Sequence, residues 1–109
     1  MSFPLLQSAA AGMDAQRSVL DIDARNVAAA TAAGPKGAFT RLIPHVIVID
    51  NDGIPEAHFR GVTHQASADA DGMTEMVAVM NASRAYEADA SLFGVGKQLI
   101  ERTIAMGQL

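Results

Sequence analysis

The sequence predicts a mainly α protein in which two long antiparallel terminal helices, coiled-coil-like in their period, flank a small β-hairpin insert. Three observations predict it. Apolar residues recur every seven positions toward both ends, which is the spacing of a helix with a narrow apolar seam. Between these stretches stands a block of strand-forming residues followed by a turn signal. A Gly-Pro pair separates the first helix from that block. The expected units are residues 1–33, an N-terminal helix; 34–68, a hairpin or loop insert; and 69–109, a C-terminal helix.

The first helix is expected from about Pro4 to Ala33. Leu6, Met13, Leu20 and Val27 form its seven-residue series, and Ala9, Ala10, Gln16, Ala24 and Ala30 fill the intervening positions. Asp14, Arg17, Asp21 and Arg25 lie mostly elsewhere around the helix. At 1.5 Å per residue such a helix reaches roughly 40 Å. Gly34-Pro35 ends it, because proline cannot extend the hydrogen-bond ladder.

The insert changes character. Leu42, Ile43 and the run Val46 to Ile49 favour a strand, and Asp50-Asn51-Asp52-Gly53 favours a turn, since Asn, Asp and Gly tolerate positive φ. Ile54 to Val62 is expected to return as the second strand. Pro44 and Pro55 restrict both strands to edges or bends. A lone hairpin is marginal in water, so this one should lean on the helices or on a neighbour. Ser67 to Gly72 reads as a polar connection.

The second helix is expected from about Asp71 to Gly107, with Asp71 as N-cap and Glu75 in the first turn, where the helix dipole favours it. Val79, Tyr86, Phe93 and Ile100 form one series. Met76, Ser83, Ala90, Lys97 and Ile104 flank it, and Leu92, Leu99 and Met106 run beside it. That apolar face is broader than one partner helix needs. Gly94 and Gly96 each cost about 1 kcal/mol relative to alanine in a helix interior, so they should mark a close approach or a kink. Because the insert reverses the chain, the helices are expected to run antiparallel. Their uncovered apolar surface calls for further copies.

Composition agrees. The 109 residues suffice for one domain. Half are apolar, but many are alanine, and the aromatics are Phe3, Phe39, Phe59, Phe93 and Tyr86. So few large side chains suit close-packed helices. The net charge of −4, with no basic cluster, argues against nucleic acid as a partner. There is no cysteine, which excludes disulfides and thiolate metal sites. The uncharged stretch Met1 to Met13 has no basic residue before its apolar part, so it reads as the start of a helix and not as a cleaved signal. No uncharged apolar run is long enough to span a bilayer.

No motif points to catalysis, a cofactor, a metal or a small-molecule substrate. His45, His58 and His64 match no zinc spacing. Asp69-Ala70-Asp71-Gly72 is too short for a calcium loop and suits helix capping. Gly94-Val95-Gly96-Lys97 lacks the spaced glycine and metal-binding hydroxyl of a phosphate loop. Met73, Met76 and Met80 sit at helical spacing and suit packing within an assembly, or an adaptable surface for one partner helix. The second possibility makes the chain a small soluble helical adaptor.

Glu75-Met76-Val77, Met80 and Ala82-Ser83-Arg84-Ala85-Tyr86-Glu87-Ala88 together resemble the C-terminal signature of the flagellar axial rod family, proximal-rod FlgC type. Asp69-Ala70-Asp71 stands where that family has an Asn-Val-Asp lead-in, and Lys97 and Thr103 to Gln108 resemble its tail. Ala15-Gln16, Leu20, Ala24, Asn26 and Ala28 follow its first-helix pattern, and Gly34-Pro35-Lys36-Gly37 resembles its Gly-Pro-x-Gly turn. The chain departs at Arg25, Ala29, Phe39 and Asp89, and its middle is shortened. The resemblance implies a structural subunit of the bacterial flagellar basal-body rod. Such a subunit is exported by the flagellar type III apparatus without a cleaved signal. It assembles in the periplasm with other copies and with neighbouring rod proteins, and it needs no cofactor. The expected assembly interface is Leu6, Met13, Leu20, Asn26 and Val27 on the first helix with Met76, Met80, Tyr86, Phe93, Ile100 and Ile104 on the second.

Overall fold

Four elements follow one another in the computed structural model, which describes residues 3–68 and 70–107. They are α1, Phe3–Ala33; β1, Phe39–Asn51; β2, Ile54–Ser67; and α2, Gly72–Gly107. Asp69 and Gln108, which carry part of the family resemblance, lie outside the described residues. Two helices flanking a two-stranded antiparallel hairpin make the chain mainly helical.

Helix α1 keeps its only proline, Pro4, in the first turn, where a missing N–H costs nothing. It stops at Ala33. Gly34 then takes a left-handed φ of +78° and donates its N–H to the Thr31 carbonyl at 3.2 Å, closing the helix end. Helix α2 begins behind Asp71, whose carboxylate accepts from the Met73 N–H at 3.0 Å and the Thr74 hydroxyl at 2.9 Å. The expected N-cap therefore forms.

The hairpin closes through Asp52-Gly53, both at positive φ (+53° and +83°), the two-residue turn whose twist matches the strands. Strand β2 runs to Ser67 and not to Val62. Thr63–Ser67 pair with Phe39–Ile43, so β1 also starts earlier than its apolar block. Polar side chains did not announce this extension, because a ladder needs only backbone groups. The connection to α2 is correspondingly shorter. Pro44 pairs with Val62 and Val46 with Phe59, which leaves His45 opposite both Arg60 and Gly61. This is a β-bulge. Gly61, at φ +106°, supplies the backbone conformation, and Pro44 has no N–H to lose.

Hairpin and α2 occupy two flanks of α1. On one flank the Ser8 hydroxyl donates to the Pro55 carbonyl at 2.7 Å, and Asn26 bonds Leu42. On the other, Leu6 meets Gly96, Gly12 meets Asp89, and Thr31 meets Gly72. The turn after α1 and the lead into α2 are tied directly: Lys36 N–H donates to Ala70 C=O at 3.1 Å, and Ala70 N–H donates to Gly37 C=O at 2.9 Å. The Cα trace measures 65 × 24 × 12 Å, so the elements form a slab one element thick.

That geometry explains the core. The buried apolar residues among those described are Ala9, Ala15, Ile22, Ala30, Ala70 and Ala82, and no large side chain is fully buried. The expected seam residues Leu6, Met13, Leu20 and Val27 are only half-buried. A helix with neighbours on two flanks buries two sets of positions, and on α1 these are small or polar: Ala9, Gly12, Ala15, Asp23, Asn26 and Ala30, with Ile22 the only large aliphatic side chain among them. On α2 the buried positions are Glu75, Ala82 and Gly96, and the last two stand three places after Val79 and Phe93 of the half-buried series Val79, Tyr86, Phe93 and Ile100. Small residues let the helices approach closely. A Cβ on Gly96 would fall 2.9 Å from Leu6 Cδ2, whereas Gly94 faces open space. The expected close approach thus occurs at Gly96 and not at Gly94.

Candidate assembly interface

Where α1, the hairpin and α2 meet, charge is concentrated. Arg41 on β1 reaches across to Glu75 on α2, its Nε donating to Oε1 at 2.7 Å. Glu75 is 4% exposed and Asp23 on α1, its neighbour, 6%. Burial, and then the Glu75 charge, push the Asp23 carboxyl above its ordinary value. The Arg41 guanidinium also lies over the Phe39 ring, 5.4 Å from its centroid. One arginine therefore fastens the hairpin to α2 and compensates one of two buried carboxylates. Farther along the seam, Asp89 packs against Gly12, and burial raises its carboxyl as well.

The opposite surface property is an excess of uncovered apolar side chains. Met73, Met76 and Met80, spaced three and four apart, form one exposed stripe on α2. Leu92, Val95, Leu99 and Met106 form another. On the hairpin, Val46, Ile47 and Val48 are exposed, Val48 by 70%. A chain of this size that leaves three apolar patches open presents an interaction surface.

The expected interface residues divide into three groups. Met76, Met80 and Ile104 are exposed and free to meet another molecule. Leu6, Met13, Leu20, Val27, Tyr86, Phe93 and Ile100 are half-buried, and Leu6 packs against Gly96 in the α1–α2 seam. Arg17 faces Tyr86 across that seam and is held more firmly protonated by the phenol. Val27 and Met76 line one groove, so the two helices share a continuous face there. Asn26 is buried at 3% exposure and spends its amide on Leu42 inside the chain. Sequence reasoning placed it at the interface because an internal strand partner leaves no periodic signal. The expected interface also leaves out Val95, which the second exposed stripe includes, and Val77, which is exposed next to Met76.

The histidines are dispersed over the hairpin. His45 Nε2 lies 2.8 Å from Thr63 Oγ1, His58 Nε2 lies 3.1 Å from Glu56 Oε1, and His64 is exposed. Glu56 gathers Asn51, His58 and Gln7 around it, and these hydrogen bonds hold its carboxyl below the usual range. Among the described residues no group of three or more His, Cys, Asp or Glu could hold a metal ion, and no helix is long and apolar enough to cross a membrane. No family model matches the chain, and no curated protein matches it either.

Proposed function

We propose that this chain is a structural subunit of a self-assembling helical rod, and that the rod is the proximal rod of the bacterial flagellar basal body. One observation carries the assembly reading: a slab one element thick, without a fully buried large side chain among the described residues, leaves large apolar residues open on both α2 and the hairpin. Folding such a chain alone gains little burial against the entropy of ordering it. Neighbouring copies supply the missing layer. The α1–α2 pair acts as an antiparallel coiled-coil-like strut whose start-to-end partners are Leu6 with Gly96 and Thr31 with Gly72. The flagellar assignment rests on the motif resemblance in both helices and the Gly34-Pro35-Lys36-Gly37 turn. In this reading the subunit works mechanically, without catalysis or cofactor. Its partners are further copies, adjoining rod proteins and the type III export apparatus that delivers it to the periplasm.

The exposed Met73–Met76–Met80 stripe favours one alternative, an adaptor that binds a single partner helix. Sedimentation and electron microscopy of the concentrated chain separate the two. Filaments or tubes are expected; a well-folded monomer up to the solubility limit would overturn the assembly reading. Disruption of the gene should abolish swimming and arrest basal bodies before the distal rod. Unimpaired swimming would remove the flagellar assignment and leave self-assembly standing.

A further inference from the structure

The hairpin leaves part of one strand edge open. Its two-residue turn is closed by a hydrogen-bonded pair, Asn51 with Ile54, and bonded pairs alternate along an antiparallel ladder. Ile49–Glu56 and Ile47–His58 are therefore bonded pairs, and the N–H and C=O groups of Asp50, Val48 and Val46 point outward. Pro55, which has no N–H, stands opposite Asp50 as this alternation requires. Nearer the base Leu42 points outward in the same phase, and there Asn26 bonds both of its groups.

Helix α1 explains why the tip stays open. Gln7 and Ser8 reach Glu56 and Pro55, on the β2 side at the tip, whereas Asn26 reaches Leu42, on the β1 side at the base. At the tip the outer edge of β1 thus faces away from α1. Among the described residues no backbone group from outside the ladder bonds Val46, Val48 or Asp50. His45 to Val48 are exposed in unbroken succession, Val48 by 70%. Open edges are ordinarily blunted by a lysine, a proline or a bulge, and the stretch from Val46 to Asp50 has none of them. Its one charge, Asp50, is turned onto the Gly53 N–H at 2.6 Å.

An outward row of backbone donors and acceptors is matched by another extended strand. The row itself selects a second copy. It is bounded by Pro44 at one end and by the Asp52-Gly53 turn at the other, so Val48 is its midpoint. A copy turned about a two-fold axis at Val48 sets Val48 against Val48 and Val46 against Asp50, and every outward group finds a partner. Centring on Val46 would set Val48 against Pro44, which has no N–H, and Asp50 against Leu42, which Asn26 already occupies. Centring on Asp50 would oppose like charges and run past the turn. The register at Val48 also places Ile47 opposite Ile49, so apolar side chains meet on both faces of the sheet.

We propose that two copies pair antiparallel along β1, Val48 to Val48, and join their hairpins into one continuous sheet. The contact uses the same patch on both copies, so it closes on a pair. It therefore stands apart from the rod reading, in which polymer growth needs other contacts.

The test uses the full-length chain. In dilute protein the outward amides of Val46, Val48 and Asp50 should exchange freely, and protection of all three should rise together with concentration. The chain has no cysteine, so Val48→Cys adds a single thiol at the axis, within disulfide reach of its own copy. Mild oxidation should convert it to a covalent dimer. Val46→Cys, whose own copy lies at the far end of the paired segment, should stay uncrosslinked. Val48→Lys sets two ammonium groups face to face; it should keep the melting curve of the dilute chain and lose the protection. An edge that serves a different protein's strand would leave these amides free in the pure chain at every concentration, which overturns the pairing. Polymers with free amides would overturn it as well and leave the rod reading intact. Crosslinking of Val46→Cys in place of Val48→Cys would overturn the register.

Discussion

Asn26 on α1 takes the place of a third strand for Leu42 on β1: its Oδ1 accepts from the Leu42 N–H at 2.8 Å, and its Nδ2 donates to the Leu42 carbonyl at 2.7 Å. Carboxamide and peptide share the same donor and acceptor geometry, so one side chain satisfies both open groups of an edge strand. Asn26→Ala leaves both without a partner. It should cost about 2 kcal/mol, since each unsatisfied buried group costs about 1–3 kcal/mol and this site is only part-buried. Amide exchange at Leu42 should accelerate strongly. Asn26→Asp should be nearly as harmful, because a carboxylate cannot donate to the carbonyl. Unchanged exchange at Leu42 in either variant would show that the hairpin is held by other contacts.

Arg41 should act as the latch between hairpin and α2. Arg41→Ala strands Glu75, 4% exposed, next to Asp23. Breaking a buried pair costs roughly 3–5 kcal/mol, and the Arg41 side chain is 29% exposed, so a loss of about 2 kcal/mol is expected. The double change Arg41→Leu with Glu75→Leu should recover much of it. Thermal unfolding of the three proteins by circular dichroism measures this, and equal losses in the single and double variants would refute the latch.

Asp23 predicts a pH effect of definite sign. Its folded carboxyl titrates above the ordinary value of 3.8, so the folded state is penalised when Asp23 is ionised and relieved as pH falls through the raised value. Asp23→Asn should therefore stabilise the chain at pH 7, because the amide removes the buried charge that burial and Glu75 disfavour. The gain should shrink toward pH 4. Asp71 and Glu56 act in the opposite sense: both are depressed, and their contributions are lost as pH falls below the ordinary carboxylate range and through their own lowered values. Melting curves from pH 7 to pH 3 test both signs. A variant less stable than wild type at pH 7 would contradict the account of Asp23.

Three interior glycines of the helix pair, Gly12, Gly94 and Gly96, should respond differently to alanine. Gly94 meets nothing within 4 Å, so Gly94→Ala should stabilise the isolated chain by about 1 kcal/mol through helix propensity. At Gly96 the new methyl would meet the flexible end of Leu6, which can move aside, and the net change should be small. At Gly12 it would fall on the Asp89 carboxylate, and the helix pair should loosen. If Gly94→Ala stabilises the monomer yet blocks polymer growth, Gly94 is where a neighbouring copy approaches.

Under the proposed assembly, Phe93→Asp should abolish polymer growth, because it places a charge at a half-buried position on the face assigned to neighbouring copies. Phe93 is half-buried within the chain itself, so this variant should also melt earlier. Val95→Asp and Leu99→Asp change exposed positions and should leave melting within about 0.5 kcal/mol of wild type, as surface substitutions generally do. They separate assembly from folding. Polymers that form normally with both variants would remove the second α2 stripe from the interface.

The sequence by itself determined the order of the elements and the stops between them, though not the Thr63–Ser67 end of β2. The Gly34-Pro35 stop, the Asp52-Gly53 turn and the Asp71 cap are local, since each depends on backbone conformations or short-range hydrogen bonds that few residue types provide. It also announced an apolar surplus on α2. Only the tertiary structure decided which positions are buried. Seven-residue apolar periodicity pointed to Leu6, Met13, Leu20 and Val27, yet with α1 flanked on two sides, close packing falls to Ala9, Gly12, Ala15 and Ala30, whose small side chains let neighbours approach. Asn26 and Asp23 gave no periodic signal because their roles depend on partners 16 and 52 positions away, Leu42 and Glu75. The groove at one pole arises only when the two helix ends are brought together, which the backbone pairing of Lys36 and Gly37 with Ala70 accomplishes.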